Sequence, residues 1–135
     1  MTIYALRVAK PEWVDNLYRE GVYYGSVRRL FKPGDTIIFF SKIEDLGDAL
    51  IGYSVVESFY RRGDLPEDIA SRFQEHPWSW LIRFDRSKLV RFIDPIPWVK
   101  LVELGIIPRK ARGRYLHGFR LRDREADILR SICKI

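Results

Sequence analysis

The side chains with the most evident chemical capacity in this chain are arginines. Arg109, Lys110, Arg112, Arg114, Arg120, Arg122 and Arg124 lie close together in a stretch whose only acid is Asp123. That stretch carries the protein's entire net charge of +6, because the remaining 17 basic residues are matched by 17 acids. A neutral body with one basic strip is the electrostatic footprint of a polyanion binder. The competing reading is a solvated face balanced in space by acids such as Asp64, Glu67 and Asp68. Arginine outnumbers lysine 17 to 7 over the chain, and its planar guanidinium both pairs with phosphates and stacks on bases.

Aromatic residues are the second chemical resource. The chain has 4 Trp, 7 Tyr and 8 Phe, more than a core of this size requires. Tyr23 and Tyr24 are adjacent, so they cannot face the same way, and Gly25, Ser26, Val27, Arg28 and Arg29 follow them. Trp78-Ser79-Trp80 would put two indoles on one face of a strand, and Trp98 and the Tyr115/His117/Phe119 alternation complete the set. Aromatic walls beside arginines suit nucleic acid, since stacking holds an unpaired base while cations hold its backbone. Trp80, Phe84, Trp98 and Phe119 read first as residues of an ordinary core, and His117 fits a satisfied core histidine at least as well as a ligand contact.

Motifs for catalysis are scarce. His76 and His117 form no metal-binding pair, and phosphate loops, dinucleotide fingerprints and Gly-x-Ser-x-Gly elbows do not occur. No cofactor is implied. An enzyme acting on nucleotides or RNA would need an acid/base pair, such as His117 with Glu57 or Asp85, to converge on one pocket. Cys133 is the single cysteine, which excludes an intrachain disulfide and a cysteine metal cluster and reads as a small core residue.

These residues must be positioned by a framework, and its elements follow from periodicity. Thr2–Val8 alternates as a strand. Pro11 opens a helix with an apolar stripe at Trp13, Val14, Leu17 and Tyr18, capped by Gly21. Val22–Leu30 reads as a polar-aromatic loop or short helix. Lys32-Pro33-Gly34-Asp35 is a type II turn into the strand Thr36–Ser41; Ile43–Ala49 is an exposed connection, and Leu50–Tyr60 is a second strong strand. Within it Gly52 marks a bulge or a close backbone approach. Asp64 and Glu67 have capping-box spacing before a short helix over Leu65–Gln74. Trp78–Asp85 and Leu89–Ile93 read as strands, Pro95 and Pro97 break the pattern, and a brief helix over Trp98–Leu104 closes at Gly105. A strand over Leu116–Leu121 and a final helix capped by Asp123 end the chain.

A length of 135 residues with 47% apolar and 31% charged content fits one domain with its own core, and no apolar run approaches the ~20 residues of a membrane span. The N-terminus lacks a signal-peptide pattern, so a cytoplasmic location away from membranes is expected. Asn16 and Gln74 are the only amide side chains, a scarcity that with high charge suggests a thermophilic source. Five or six strands with helices at the edges indicate an α+β protein, a small barrel or strongly curved mixed sheet.

The order of Val22-Tyr23-Tyr24-Gly25-Ser26-Val27-Arg28-Arg29-Leu30, Lys32-Pro33-Gly34-Asp35-Thr36-Ile37-Ile38-Phe39-Phe40, Leu50-Ile51-Gly52-Tyr53-Ser54-Val55-Val56-Glu57 and the closing Tyr115-Leu116-His117-Gly118-Phe119 resembles the EVE-type branch of the PUA-like superfamily, whose relatives include YTH and ASCH domains. The likeness covers nearly the whole chain and is similar to small archaeal members. It implies a small pseudo-barrel that binds RNA or modified nucleobases, with Tyr23, Tyr24, Gly25 and Ser26 at the pocket mouth and His117 near it. The reading that follows is a single 1–135 PUA-like domain, a non-catalytic nucleic-acid-binding module with RNA favoured over DNA. Its candidate contacts are Tyr23, Tyr24, Gly25, Ser26, Arg28, Trp78, Arg112, Arg114, His117, Arg120 and Arg122. A processing enzyme using the same pocket, and an interaction module or homodimer built on exposed aromatics, are the competing readings.

Overall fold

A computed structural model describes residues 2–25, 31–67 and 79–133. Strand β1 (Ile3–Val8) leads into helix α1 (Pro11–Glu20), then β2 (Val22–Gly25), β3 (Thr36–Ile43) and the long β4 (Gly47–Arg61). Strand β5 (Trp80–Phe84), β6 (Val90–Pro97), helix α2 (Trp98–Glu103) and helix α3 (Asp123–Ile132) complete the order. The strands form one six-stranded mixed sheet in the order β1-β3-β4-β5-β2, with β6 also on β4. Among the described residues only β1 and β3 pair in parallel; the other strand pairings are antiparallel. Strand β4 is the hinge of this architecture. It meets β3 and β6 along its first half and β5 along its second, with register shifts that let the sheet curl.

Strands β1 and β3 are buried on both faces, which explains their nearly continuous apolar sequence. Ala5 and Ile38, neighbours in register, join Leu101 of α2 and Leu129 of α3 in one core cluster. Leu6 and Phe39, one register step on, join Leu17 of α1 and Ile82 and Phe84 of β5 in the other. The curled sheet thus separates an α1 side from an α2/α3 side.

Local signals worked where one residue fixes the backbone. Gly21 ends α1 at φ 70°, its N–H donating to Leu17 O at 2.8 Å. Gly34 adopts φ 94° in the turn before β3, closed by Asp35 N–H donating to Lys32 O at 3.0 Å. Gly52 sits at the β4–β6 irregularity, where a Cβ would collide with the Val90 carbonyl and the Tyr18 hydroxyl.

Other expectations are corrected. Val22–Gly25 is neither loop nor helix but strand β2, held by pairing Tyr23 with Ile82 and Tyr24 with Leu81. Strand β6 continues through Pro95 and Pro97, because its outer edge needs no N–H for a ladder. Leu116–Leu121 is not a strand: Gly113–Leu116 is a 3₁₀ turn, and left-handed Gly118 (φ 84°) interrupts extension. The segment still covers the edge of β1, with Ala5 N–H donating to Phe119 O at 2.6 Å, Gly118 N–H to Ala5 O at 2.8 Å and Leu121 N–H to Ile3 O at 2.9 Å. Helix α3 is capped by Arg122 rather than by Asp123, the Glu125 carboxylate accepting the Arg122 backbone N–H at 2.8 Å. The helix expected over Leu65–Gln74 lies, beyond Glu67, outside the described residues. Among the described residues, no helix is long and apolar enough to cross a membrane.

Candidate nucleic-acid interface

The antiparallel pairing of β2 with β5 places Gly25 opposite Trp80. A Cβ at Gly25 would lie 3.0 Å from the Trp80 ring, so glycine there lets the indole lie across β2. Trp80 then becomes the centre of an aromatic cluster. Its ring centroid is 5.8 Å from Phe31, 5.9 Å from Phe59 and 6.4 Å from Tyr23. His117 completes it, stacked on Trp80 at 6.4 Å with an interplanar angle of 16° and edge-on to Tyr23 at 6.4 Å. Trp80 and Tyr23 are 4% and 8% exposed, while His117 is half-buried.

His117 is held from β1. Its Nδ1 accepts the Arg7 backbone N–H at 3.2 Å, which leaves the neutral ring's proton on Nε2. Burial, together with the Arg7 guanidinium, pulls its pKa below the ordinary 6.5, so the ring is neutral near pH 7. The Tyr23 hydroxyl donates to Arg7 O at 3.5 Å, and burial pushes that phenol up to about 12. The Arg7 guanidinium pairs with Asp48 through Nε at 3.0 Å, and the other Asp48 oxygen accepts the Gly113 N–H at 3.2 Å. One carboxylate on β4 therefore ties β1 to the turn that carries His117.

The basic strip begins on the same turn. Arg112 lies over the Trp98 ring at 5.2 Å, and Arg114 over the Tyr115 ring at 5.5 Å. Arg109, Lys110, Arg112, Arg114, Arg120, Arg122 and Arg124 are all exposed. Of these, only Arg122 has an ion pair among the described residues, with Glu125 at 3.3 Å. Of the acids that the competing reading sets against the strip, Asp64 and Glu67 make no ion pair with it among the described residues, and Asp68 lies outside them.

Tyr23, Gly25 and His117 thus converge on Trp80. Tyr24 packs against Leu81, with its ring stacked beside that of Tyr23 at 6.4 Å and an interplanar angle of 21°. Arg112 and Arg114 flank the turn below His117. Arg120 is bridged to Tyr4 on β1, and Arg122 caps α3. Ser26, Arg28 and Trp78 lie outside the described residues. Sequence reasoning missed Arg7, Asp48 and Phe31 as supports; they are distant in the chain, and no local spacing marks them. Glu57 is exposed, and the Asp85 carboxylate accepts Ser87 N–H at 3.0 Å and Ser87 O–H at 2.6 Å; neither is a hydrogen-bond partner of His117. No group of three His, Cys, Asp or Glu among the described residues could hold a metal.

No protein-family model matches the chain, and no curated protein does. Solved structures do. The ASCH protein from Zymomonas mobilis is 15% identical, with a TM-score of 0.61 over 97% of this chain and 94% of that one. The YTH domain of the Zygosaccharomyces rouxii MRB1 protein, solved in complex with N6-methyladenosine RNA, is 9% identical, with a TM-score of 0.62 over 99% of this chain and 85% of that one. The Mmi1 YTH domain is also 9% identical, with a TM-score of 0.61 over 98% and 94%. Proteins so different in sequence superpose on nearly the whole of this chain, which therefore shares the small barrel-like fold of the ASCH and YTH domains.

Proposed function

We propose that this protein is a non-catalytic RNA-binding module of EVE type, which holds an unpaired or modified base beside His117, backed by the buried Trp80 and Tyr23 rings, and its phosphates on the arginine strip. The observation that carries this reading is the place of His117. It closes the aromatic cluster and lies within the basic stretch Arg109–Arg124, of which only Arg122 has an ion pair among the described residues, so base-stacking and phosphate-binding chemistry meet at one residue. With Nδ1 committed to Arg7, the His117 Nε2–H is a donor for an acceptor on the base edge. Tyr24, Ser26, Arg28 and Trp78 are proposed at the mouth, with Arg112, Arg114, Arg120 and Arg122 along the strand's backbone. An RNA complex of a YTH domain of the same fold supports RNA as the partner.

The test is fluorescence anisotropy of labelled single-stranded RNA, single-stranded DNA and duplex at two salt concentrations, with Arg112→Glu/Arg114→Glu beside the wild type. Wild-type binding to single-stranded RNA weakens with salt. The double variant binds all sequences more weakly, and loss of two phosphate contacts flattens the slope of log K against log salt by about 1.4. Unchanged affinity and slope in the double variant refute the role of the strip.

A further inference from the structure

We propose that Tyr115, with the neighbouring Arg112–Trp98 pair, is a second stacking platform that takes the base next to the one at His117, so that the ligand is a single strand of two or more nucleotides and not an isolated base. This rests on the RNA-binding reading above and extends it.

Tyr115 is 64% exposed, yet its backbone is fixed on both sides. Its N–H donates to Arg112 O at 3.2 Å, the following Leu116 is fully buried, and the His117 N–H donates to Arg114 O at 3.1 Å. Gly113, two residues before it, is tied to Asp48, and Trp98 Nε1 donates to Ala111 O at 2.7 Å. The turn is rigid while the ring stands in solvent. Among the described residues the other large exposed apolar side chains, Leu46, Ile93, Val99 and Ile132, are aliphatic and cannot stack a base.

Charge singles out the same place. Guanidinium groups lie over both Tyr115 and Trp98, and neither Arg112 nor Arg114 has a carboxylate partner among the described residues. A guanidinium stacked on a ring keeps its other face and its N–H groups for a base or a phosphate. The Tyr115 and His117 Cα atoms can be no more than about 7 Å apart along the chain, within reach of successive nucleotides of one strand. Bases within a duplex have their faces covered, so this platform selects unpaired strands.

The test compares wild type, Tyr115→Phe and Tyr115→Ala with a labelled single-stranded RNA decamer of mixed sequence, its duplex, and the four mononucleotides as competitors. Because the ring is exposed, all three proteins should melt at the same temperature. Loss of one stacked base in Tyr115→Ala weakens decamer binding by about 5- to 150-fold, while Tyr115→Phe binds as the wild type does and mononucleotide competition is unchanged. Decamer binding by Tyr115→Ala within a factor of two of wild type overturns the platform. So does an equal loss on duplex and single strand, which would mean a phosphate contact in place of stacking. A wild type that binds no RNA at low salt overturns the RNA-binding reading itself, and the platform with it.

Discussion

Replacing His117 by phenylalanine separates the two things its ring does. Phenylalanine keeps an aromatic ring against Trp80 and Tyr23, contacts worth ~0.5–1.5 kcal/mol each. It cannot accept the Arg7 N–H now held by Nδ1 at 3.2 Å. A partly buried amide without a partner costs about 1–3 kcal/mol, and the half-buried position of Arg7 favours the lower part of that range. At pH 8 the variant should therefore be less stable by ~1–2 kcal/mol. The pH dependence follows from the direction of the His117 shift. Its folded pKa lies below the ordinary 6.5, so the folded protein favours the neutral ring and the unfolded chain takes up the proton first. The contribution of His117 is complete above about 6.5 and is lost as pH falls from there through the folded value, at no more than ~1.4 kcal/mol per pH unit. Phenylalanine has no such loss, so the two stabilities should converge on acidification. Urea unfolding of both proteins at pH 8, 6 and 5 measures this, and the carboxylates common to both cancel in the difference. A variant as stable as wild type at pH 8, or a gap that does not change with pH, would refute the assigned tautomer and its burial.

Two structural predictions test the supports of the site. Asp48→Ala leaves both the Arg7 guanidinium and the Gly113 N–H without their acceptor and should cost about 1–3 kcal/mol; a loss below ~0.5 kcal/mol in urea unfolding would show that the carboxylate does not brace the turn. Gly52→Ala drives a methyl into the Val90 carbonyl and the Tyr18 hydroxyl, displacing β6 at a cost of about 2–4 kcal/mol, or roughly 10 °C in Tm; a Tm within ~2 °C of wild type would contradict the close approach of β4 and β6.

What the sequence determined by itself were the elements that local physics controls. The apolar density of Thr36–Ser41, the stripe of α1, and the glycines at 21 and 34 each encode a backbone state within a few residues, and the structure has those states. The basic strip was legible too, because charge is a property of composition. Tertiary structure decided the rest. Val22–Gly25 becomes a strand only because β5, far along the chain, offers it a partner, and Leu116–Leu121 is held along β1 without regular pairing because Gly113 and Gly118 take left-handed conformations. The cluster of Trp80, Tyr23 and His117, and the Arg7–Asp48–Gly113 chain that braces it, join residues from five separate parts of the sequence. No periodicity can announce such contacts, since they exist only after a sheet of non-local pairings has closed, and that closure is what sets an aromatic cluster beside the turn that carries Arg112 and Arg114.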